Sequence, residues 1–289
     1  MVQLTLSYYP DITQKQTSGD VRANVVVFAQ KLSQRLSRDL DMQIEINVLP
    51  VMSVMEQYGA VVAGCSHLAL MKPVAYVFAH RVRHGILPAA VALRPIDGVV
   101  GDKYFGQIYA RRSIGLTTIE QLAACPAETL RVAYGNRFST SNFLIPANIL
   151  AGAGTHPFMS FRSAQFFGGH DLACEAVYNG DADIGCGHDG VIKILAQSHP
   201  DAESKLIQLG REDIHSDPVV VDTDNLPPGI TLDAIAAACV AVSEDPEVLA
   251  ALDLFWGWVK GLAPTRHENY GSIERALERL HLTAADMVG

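Results

Sequence analysis

Short apolar runs with strand periodicity alternate with stretches of helical periodicity along most of this 289-residue chain, and that alternation constrains the fold to the α/β class. Val2-Gln3-Leu4-Thr5-Leu6-Ser7-Tyr8 alternates apolar and polar residues and is punctuated by Pro10-Asp11, the pattern of a strand and its turn. Val21, Val25, Phe28, Leu32 and Leu36 then recur every three or four residues, which predicts an amphipathic helix over 20–38. Ile44, Ile46 and Val48 predict a second strand. Further strands are expected at 67–71, 89–93, 107–110, 130–134, 160–162, 182–186 and 219–221, with helices at 51–63, 73–84, 142–152 and 170–179 and a mainly helical tail. Ligands of such folds gather at the carboxyl ends of the strands.

Composition removes several function classes. Twenty-two basic against 31 acidic residues leave a net charge of −9, and no basic stripe exists to track nucleic-acid phosphates. No apolar run approaches the ~18 residues of a membrane span. The first residues, MVQLTLSYYPDITQ, show neither the basic nor the apolar region of a signal peptide, so a periplasmic location requires a trimmed form and a cytoplasmic one is the alternative. The five cysteines, Cys65, Cys125, Cys174, Cys186 and Cys239, are odd in number and contain no CxxC pair.

Two segments carry chemistry. In Gly135-Asn136-Arg137-Phe138-Ser139-Thr140-Ser141-Asn142, three consecutive hydroxyl residues stand between an expected strand and an expected helix. Hydroxyls there join unpaired backbone N–H groups and the positive end of the helix dipole, a combination suited to a tetrahedral oxyanion. The plain alternative is a Ser/Thr helix cap. In Phe166-Phe167-Gly168-Gly169-His170-Asp171, a glycine turn delivers His170 to the first turn of a helix that Gly180 ends. His170 is either an anion donor or an ordinary exposed histidine.

Together these segments resemble the phosphonate- and phosphite-binding (PhnD-like) solute-binding proteins of ABC importers. The resemblance rests on Ser139-Thr140-Ser141, on Gly168-Gly169-His170-Asp171 and on Ala176-Val177-Tyr178-Asn179-Gly180-Asp181-Ala182-Asp183, with Pro73-Val74-Ala75-Tyr76, Tyr104 and Ser113-Ile114-Gly115-Leu116 upstream, and it covers about residues 65–220 in order. It implies a type II periplasmic-binding-protein fold: two α/β lobes of mixed, mostly parallel sheets flanked by helices, closing by a hinge on a ligand between them. The first lobe would comprise 1–105 and 212–289, with the amphipathic tail helix covering it, and the second 106–211. Ser139, Thr140 and Ser141 would receive phosphonate, phosphite or phosphate-like oxygens, and His170 would complete the cage. Tyr76 and Tyr104 would close over the ligand from the other lobe. Asp189 would meet a ligand amine or a P–OH proton. Expected partners are the small oxyanion and an ABC permease; no nucleic acid and no cofactor are expected.

The sequence departs from the family at three points. Asn142 replaces a usual glycine and would narrow the pocket or hydrogen-bond the ligand. Gly169 replaces a serine donor before the histidine. Lys72 stands before Pro73, where a small residue is common; it either charges the site or points to solvent, and the second reading is the weightier.

Two rival functions share the fold or the residues. Some proteins of this architecture are lyases of the menaquinone-precursor type, acting on carboxylates, but no GxSxG elbow is present and three adjacent hydroxyls suit recognition better than attack. His170 with Cys174, and Cys186 with His188, would be the ligands of a metal or arsenite site, although their spacing matches no zinc signature.

Overall fold

The computed structural model describes residues 1–10 and 17–287. Asp11, in the turn expected after the first strand, lies outside them. In chain order the strands are β1 (Val2–Tyr8), β2 (Ile44–Val48), β3 (Leu68–Leu70), β4 (Ile86–Ala92), β5 (Arg94–Ile96), β6 (Val99–Gly101), β7 (Lys103–Arg111), β8 (Arg131–Tyr134), β9 (Ser163–Phe166), β10 (Ile184–His188), β11 (Leu206–His215), β12 (Pro218–Asp222) and β13 (Leu262–Pro264). The helices are α1 (Ser18–Asp39), α2 (Val54–Val62), α3 (Pro73–Val82), α4 (Ile119–Ala124), α5 (Ile145–Gly152), α6 (His170–Asn179), α7 (Val191–Ser198), α8 (Ala202–Lys205), α9 (Leu232–Val242), α10 (Pro246–Trp256) and α11 (Gly271–Arg279).

The chain forms two compact units. The first is Met1–Lys103 with His215–Gly271, and the second is Tyr104–Ile214 with Ser272–Gly289. The boundaries read from sequence were 105/106 and 211/212. The chain after 271 groups with the second unit, not with the first lobe to which the tail helix was assigned. An amphipathic pattern says that one face is buried, not against which body. Here Arg279 of α11 donates to Asn148 Oδ1 of α5 at 3.1 Å, within the second unit.

The first unit holds a six-stranded sheet in the order β13-β4-β12-β3-β1-β2, parallel through β2-β1-β3 and antiparallel beyond. α1 begins with a capping box, Thr17 accepting from the Asp20 N–H while Asp20 accepts from the Thr17 N–H. It buries Val21, Val25, Phe28, Leu32 and Leu36, the expected face, in the same core as Leu4, Leu6 and Phe255. The second unit holds a five-stranded sheet in the order β11-β7-β10-β8-β9, parallel through β10-β8-β9 with β7 antiparallel to β10. Both units thus have the two-lobed α/β architecture of mixed sheets flanked by helices. The strand expected at 160–162 forms three residues later, where Ser163–Phe166 aligns with Arg131–Tyr134 of β8.

At the amino end of β10, Asp183 gathers the formal charges of the second unit. Arg131 donates from its backbone N at 3.0 Å and from Nε at 2.9 Å, and Arg111 donates from Nη2. Burial works to raise the Asp183 pKa, but these arginine bonds outweigh it and hold the carboxyl below its usual range.

Candidate functional site

The carboxyl end of β8 leads directly into the Ser-Thr-Ser segment. Asn136 Oδ1 accepts from the Phe138 N–H at 2.8 Å, and Ser139 N–H donates to the Asn136 carbonyl at 3.0 Å, so the loop turns tightly before the helix. The helix expected from 142 does not begin as an α-helix. Leu144 N–H reaches back to the Ser139 carbonyl at 3.1 Å and Ile145 N–H to that of Thr140, a wide i→i+5 turn over Thr140–Leu144. Pro146 has no N–H for the Asn142 carbonyl, which removes one bond of the tighter winding. Phe143 anchors the turn through edge-on packing on Tyr134 and Phe166, at 5.3 and 5.2 Å between ring centres.

Ser139 caps this turn. Its Oγ accepts from the Asn142 N–H at 3.0 Å, which leaves its own O–H to donate elsewhere. His170 Nε2 lies 3.5 Å from that Oγ. The tautomer follows from the other nitrogen: His170 Nδ1 accepts from the His188 N–H at 3.3 Å, so in the neutral ring Nε2 carries the proton. Serine O–H and imidazole N–H therefore stand side by side. Thr140 and Ser141 are buried next to them.

Asn142 is fully buried, and its amide Nδ2 donates to the Cys186 carbonyl at 2.8 Å, tying the turn to β10. Its Oδ1 has no partner among the described residues. Gly135 makes room for it: a Cβ there would meet Asn142 Oδ1 at 2.3 Å. Asp189 follows β10, with 24% of its side chain exposed and 3.8 Å from His188 Nδ1. That nitrogen accepts from the Gly190 N–H at 3.0 Å, so His188 and Asp189 are not an ion pair in this arrangement. Gln107 Nε2 donates to the His188 carbonyl at 2.8 Å and orients the same loop.

The structure thus brings together Ser139, Thr140, Ser141, Asn142 and His170, with Asp189 on the adjoining strand end. It does not put the two tyrosines with each other. Tyr104 is the first residue of the second unit, whereas the resemblance has it close from the opposite lobe. Tyr76, on α3 of the first unit, is wholly buried; its phenol is 2.8 Å from His267 Nδ1 and its ring packs edge-on against Tyr270. Sequence reasoning missed His188 and Gln107, which reach the site through strand pairing (Gly187↔Gln107) rather than through any local motif.

The thiol alternative fails on its chemistry. Burial pushes the Cys174 thiol up to about 12, against a hydrogen bond with Tyr109 that lowers it, and burial raises Cys186 well above the ordinary thiol range. Neither supplies the thiolate that a metal or arsenite ligand must be. Among the described residues no cluster of three or more His, Cys, Asp or Glu is placed to hold a metal ion. Lys72 does not simply point to solvent either: it is partly buried, with Nζ 5.3 Å from the centre of the Tyr9 ring.

Comparison with known proteins agrees with this geometry. Residues 14–270 match the family described as "ABC transporter, phosphonate, periplasmic substrate-binding protein". Among solved structures, PhnD1 of Prochlorococcus marinus in complex with methylphosphonate is similar with a TM-score of 0.71 and 20% identity, covering 96% of this chain and 98% of that one. A binding-protein component of a phosphonate ABC transporter from Pseudomonas aeruginosa has a TM-score of 0.63 and 16% identity over 96% and 86% of the two chains. A Xanthomonas citri protein bound to ATP has a TM-score of 0.74 and 15% identity over the whole of both. Among the described residues no helix is long and apolar enough to cross a membrane. The match over most of its length places this chain in the phosphonate family of periplasmic substrate-binding proteins of ABC transporters, whose work is to capture a small oxyanion rather than to transform it.

Proposed function

We propose that the oxyanion is received in the second unit by Ser139, Thr140, Ser141 and His170, through neutral donors rather than through a formal charge of that unit. The observation that carries this reading is the pair Ser139 O–H and His170 Nε2–H, 3.5 Å apart, each with its acceptor atom already engaged by a backbone N–H. Two donors so arranged suit two oxygens of one tetrahedral group. Asn142 supports the turn from behind through Cys186. In this reading Tyr76 and Tyr104 are aromatic contacts and Asp189 meets a P–OH proton or an amine. Phosphonate, phosphite and phosphate-like anions are the candidate ligands, the periplasm is the expected site of action and an ABC permease the expected recipient.

Calorimetric titration with phosphite, phosphate, methylphosphonate, 2-aminoethylphosphonate and sulfate tests the proposal. One phosphorus anion should bind stoichiometrically, with loss in Ser139→Ala. Binding that is indifferent to both Ser139→Ala and Thr140→Ala would sink the assigned site.

A further inference from the structure

The carboxyl ends of the parallel strands in the first unit carry a cation that the function described so far does not use. β1 and β3 are paired parallel, Tyr8 opposite Leu70. Tyr9 follows β1, and Lys72 stands two residues after β3 at the start of α3. Its ammonium lies over the Tyr9 ring, in the position where parallel α/β sheets collect ligands.

Everything local opposes a lysine there. Lys72 occupies the N-cap of the ten-residue α3 and makes no side-chain capping bond, having no acceptor to offer. A cation at that end faces the positive pole of the helix. Desolvation lowers the Lys72 pKa to about 8, and the more distant charge of Asp217 offsets this only in part. Asp217 is itself engaged, accepting from Arg94 Nη2 at 2.6 Å in a buried pair. No carboxylate among the described residues lies within ion-pair distance of Lys72 Nζ, although Lys31, Lys205 and several arginines of the chain are paired. A desolvated ammonium at a helix N-terminus, over an aromatic face and without a counterion, is a frustrated group unless something anionic arrives.

We infer that Lys72 is a specificity-determining residue that gives the captured oxyanion a formal countercharge from the first unit, and so selects phosphonates without a compensating amine. The inference rests on the oxyanion-capture reading above. An ammonium repels a ligand ammonium as it attracts the phosphonate, so methylphosphonate should bind better than 2-aminoethylphosphonate.

The test titrates methylphosphonate and 2-aminoethylphosphonate into wild type, Lys72→Met, Lys72→Arg and Ser139→Ala at pH 7 and pH 9.5. Lys72→Met should weaken methylphosphonate at pH 7 on the order of ten- to a hundredfold and narrow the preference between the two ligands. Wild type should lose affinity by pH 9.5 relative to Lys72→Arg, whose guanidinium stays charged; that ratio cancels the ligand's own ionisation. If Lys72→Met does not fold, the comparison of wild type with Lys72→Arg across pH decides alone. Loss in Ser139→Ala with Lys72→Met unchanged, or a pH response equal in wild type and Lys72→Arg, overturns this inference and spares the site. A wild type that binds neither anion overturns both.

Discussion

In each unit a helical turn starts where parallel strands end, yet the two strand ends are built of different chemistry. In the second unit the crevice after β8 and β10 presents hydroxyls and an imidazole, all neutral, while the formal charges sit at the opposite strand ends in the Asp183–Arg111–Arg131 cluster. In the first unit the end of β3 presents a lone ammonium, and the neighbouring carboxylate, Asp217, is spent on Arg94. The difference separates two tasks. Neutral donors of fixed geometry sort oxyanions by shape and protonation, whereas an uncompensated cation sorts them by charge.

The largest effect expected is on the compensated side. Asp183→Ala leaves Arg111 and Arg131 without their shared carboxylate and should destabilise the second unit by about 3–5 kcal/mol, read from denaturant unfolding. The pH sign is fixed by the depressed Asp183 pKa: its stabilisation is present above the unfolded value near 4 and is lost as pH falls through the lower folded value. The variant should lack that acid-side slope. An unchanged slope would mean that the charges at the two strand ends are not divided as described.

Next comes the neutral crevice. His170→Ala should weaken methylphosphonate by about 1.5–3 kcal/mol with the melting temperature little changed, because the ring's backbone contact, the long bond from His188 N–H, is weak. A large loss of stability instead would make His170 structural. Gly135→Ala sharpens the same point from behind. Its Cβ collides with Asn142, so about 1–3 kcal/mol of stability should go, and affinity with it, although residue 135 is not among the proposed donors.

The smallest effect belongs to the first unit without ligand. Lys72→Met should raise the melting temperature slightly at pH 7, since it removes a desolvated ammonium that nothing pairs. The Lys72 pKa is about 8 folded against 10.5 unperturbed, so between those values the unfolded chain binds the extra proton and stability rises with pH. Lys72→Met should be flatter across that window. A variant less stable than wild type at pH 7 would contradict the view of Lys72 as an unpaired cation.

Much of this was legible in the residues. The α1 face and the span of α6, His170–Asn179, follow from periodicity and from Gly180, whose left-handed φ of 91° ends the helix. Ser139 and His170 are visible because motif residues at a strand-to-helix junction mean N-terminal donors. The wide turn at 140–144 was not visible, because it depends on packing of Phe143 and on the missing N–H of Pro146. His188 and Gln107 arrive by strand pairing, a long-range fact. The place of the tail was misjudged for the same reason: the apolar stripe of α11 does not name its partner, and Asn148 does so only in the fold. Lys72 could be seen as unusual, but only the folded chain shows that its ammonium has left bulk water without finding a carboxylate.

The central claim is that neutral donors at the Ser139 turn hold the captured oxyanion. Calorimetry of methylphosphonate with wild type and Ser139→Ala at pH 7, each checked by its melting curve, tests it most directly. The account predicts stoichiometric binding to wild type and a loss on the order of tenfold or more in a variant that melts as wild type does. Equal affinity in the two proteins would contradict it.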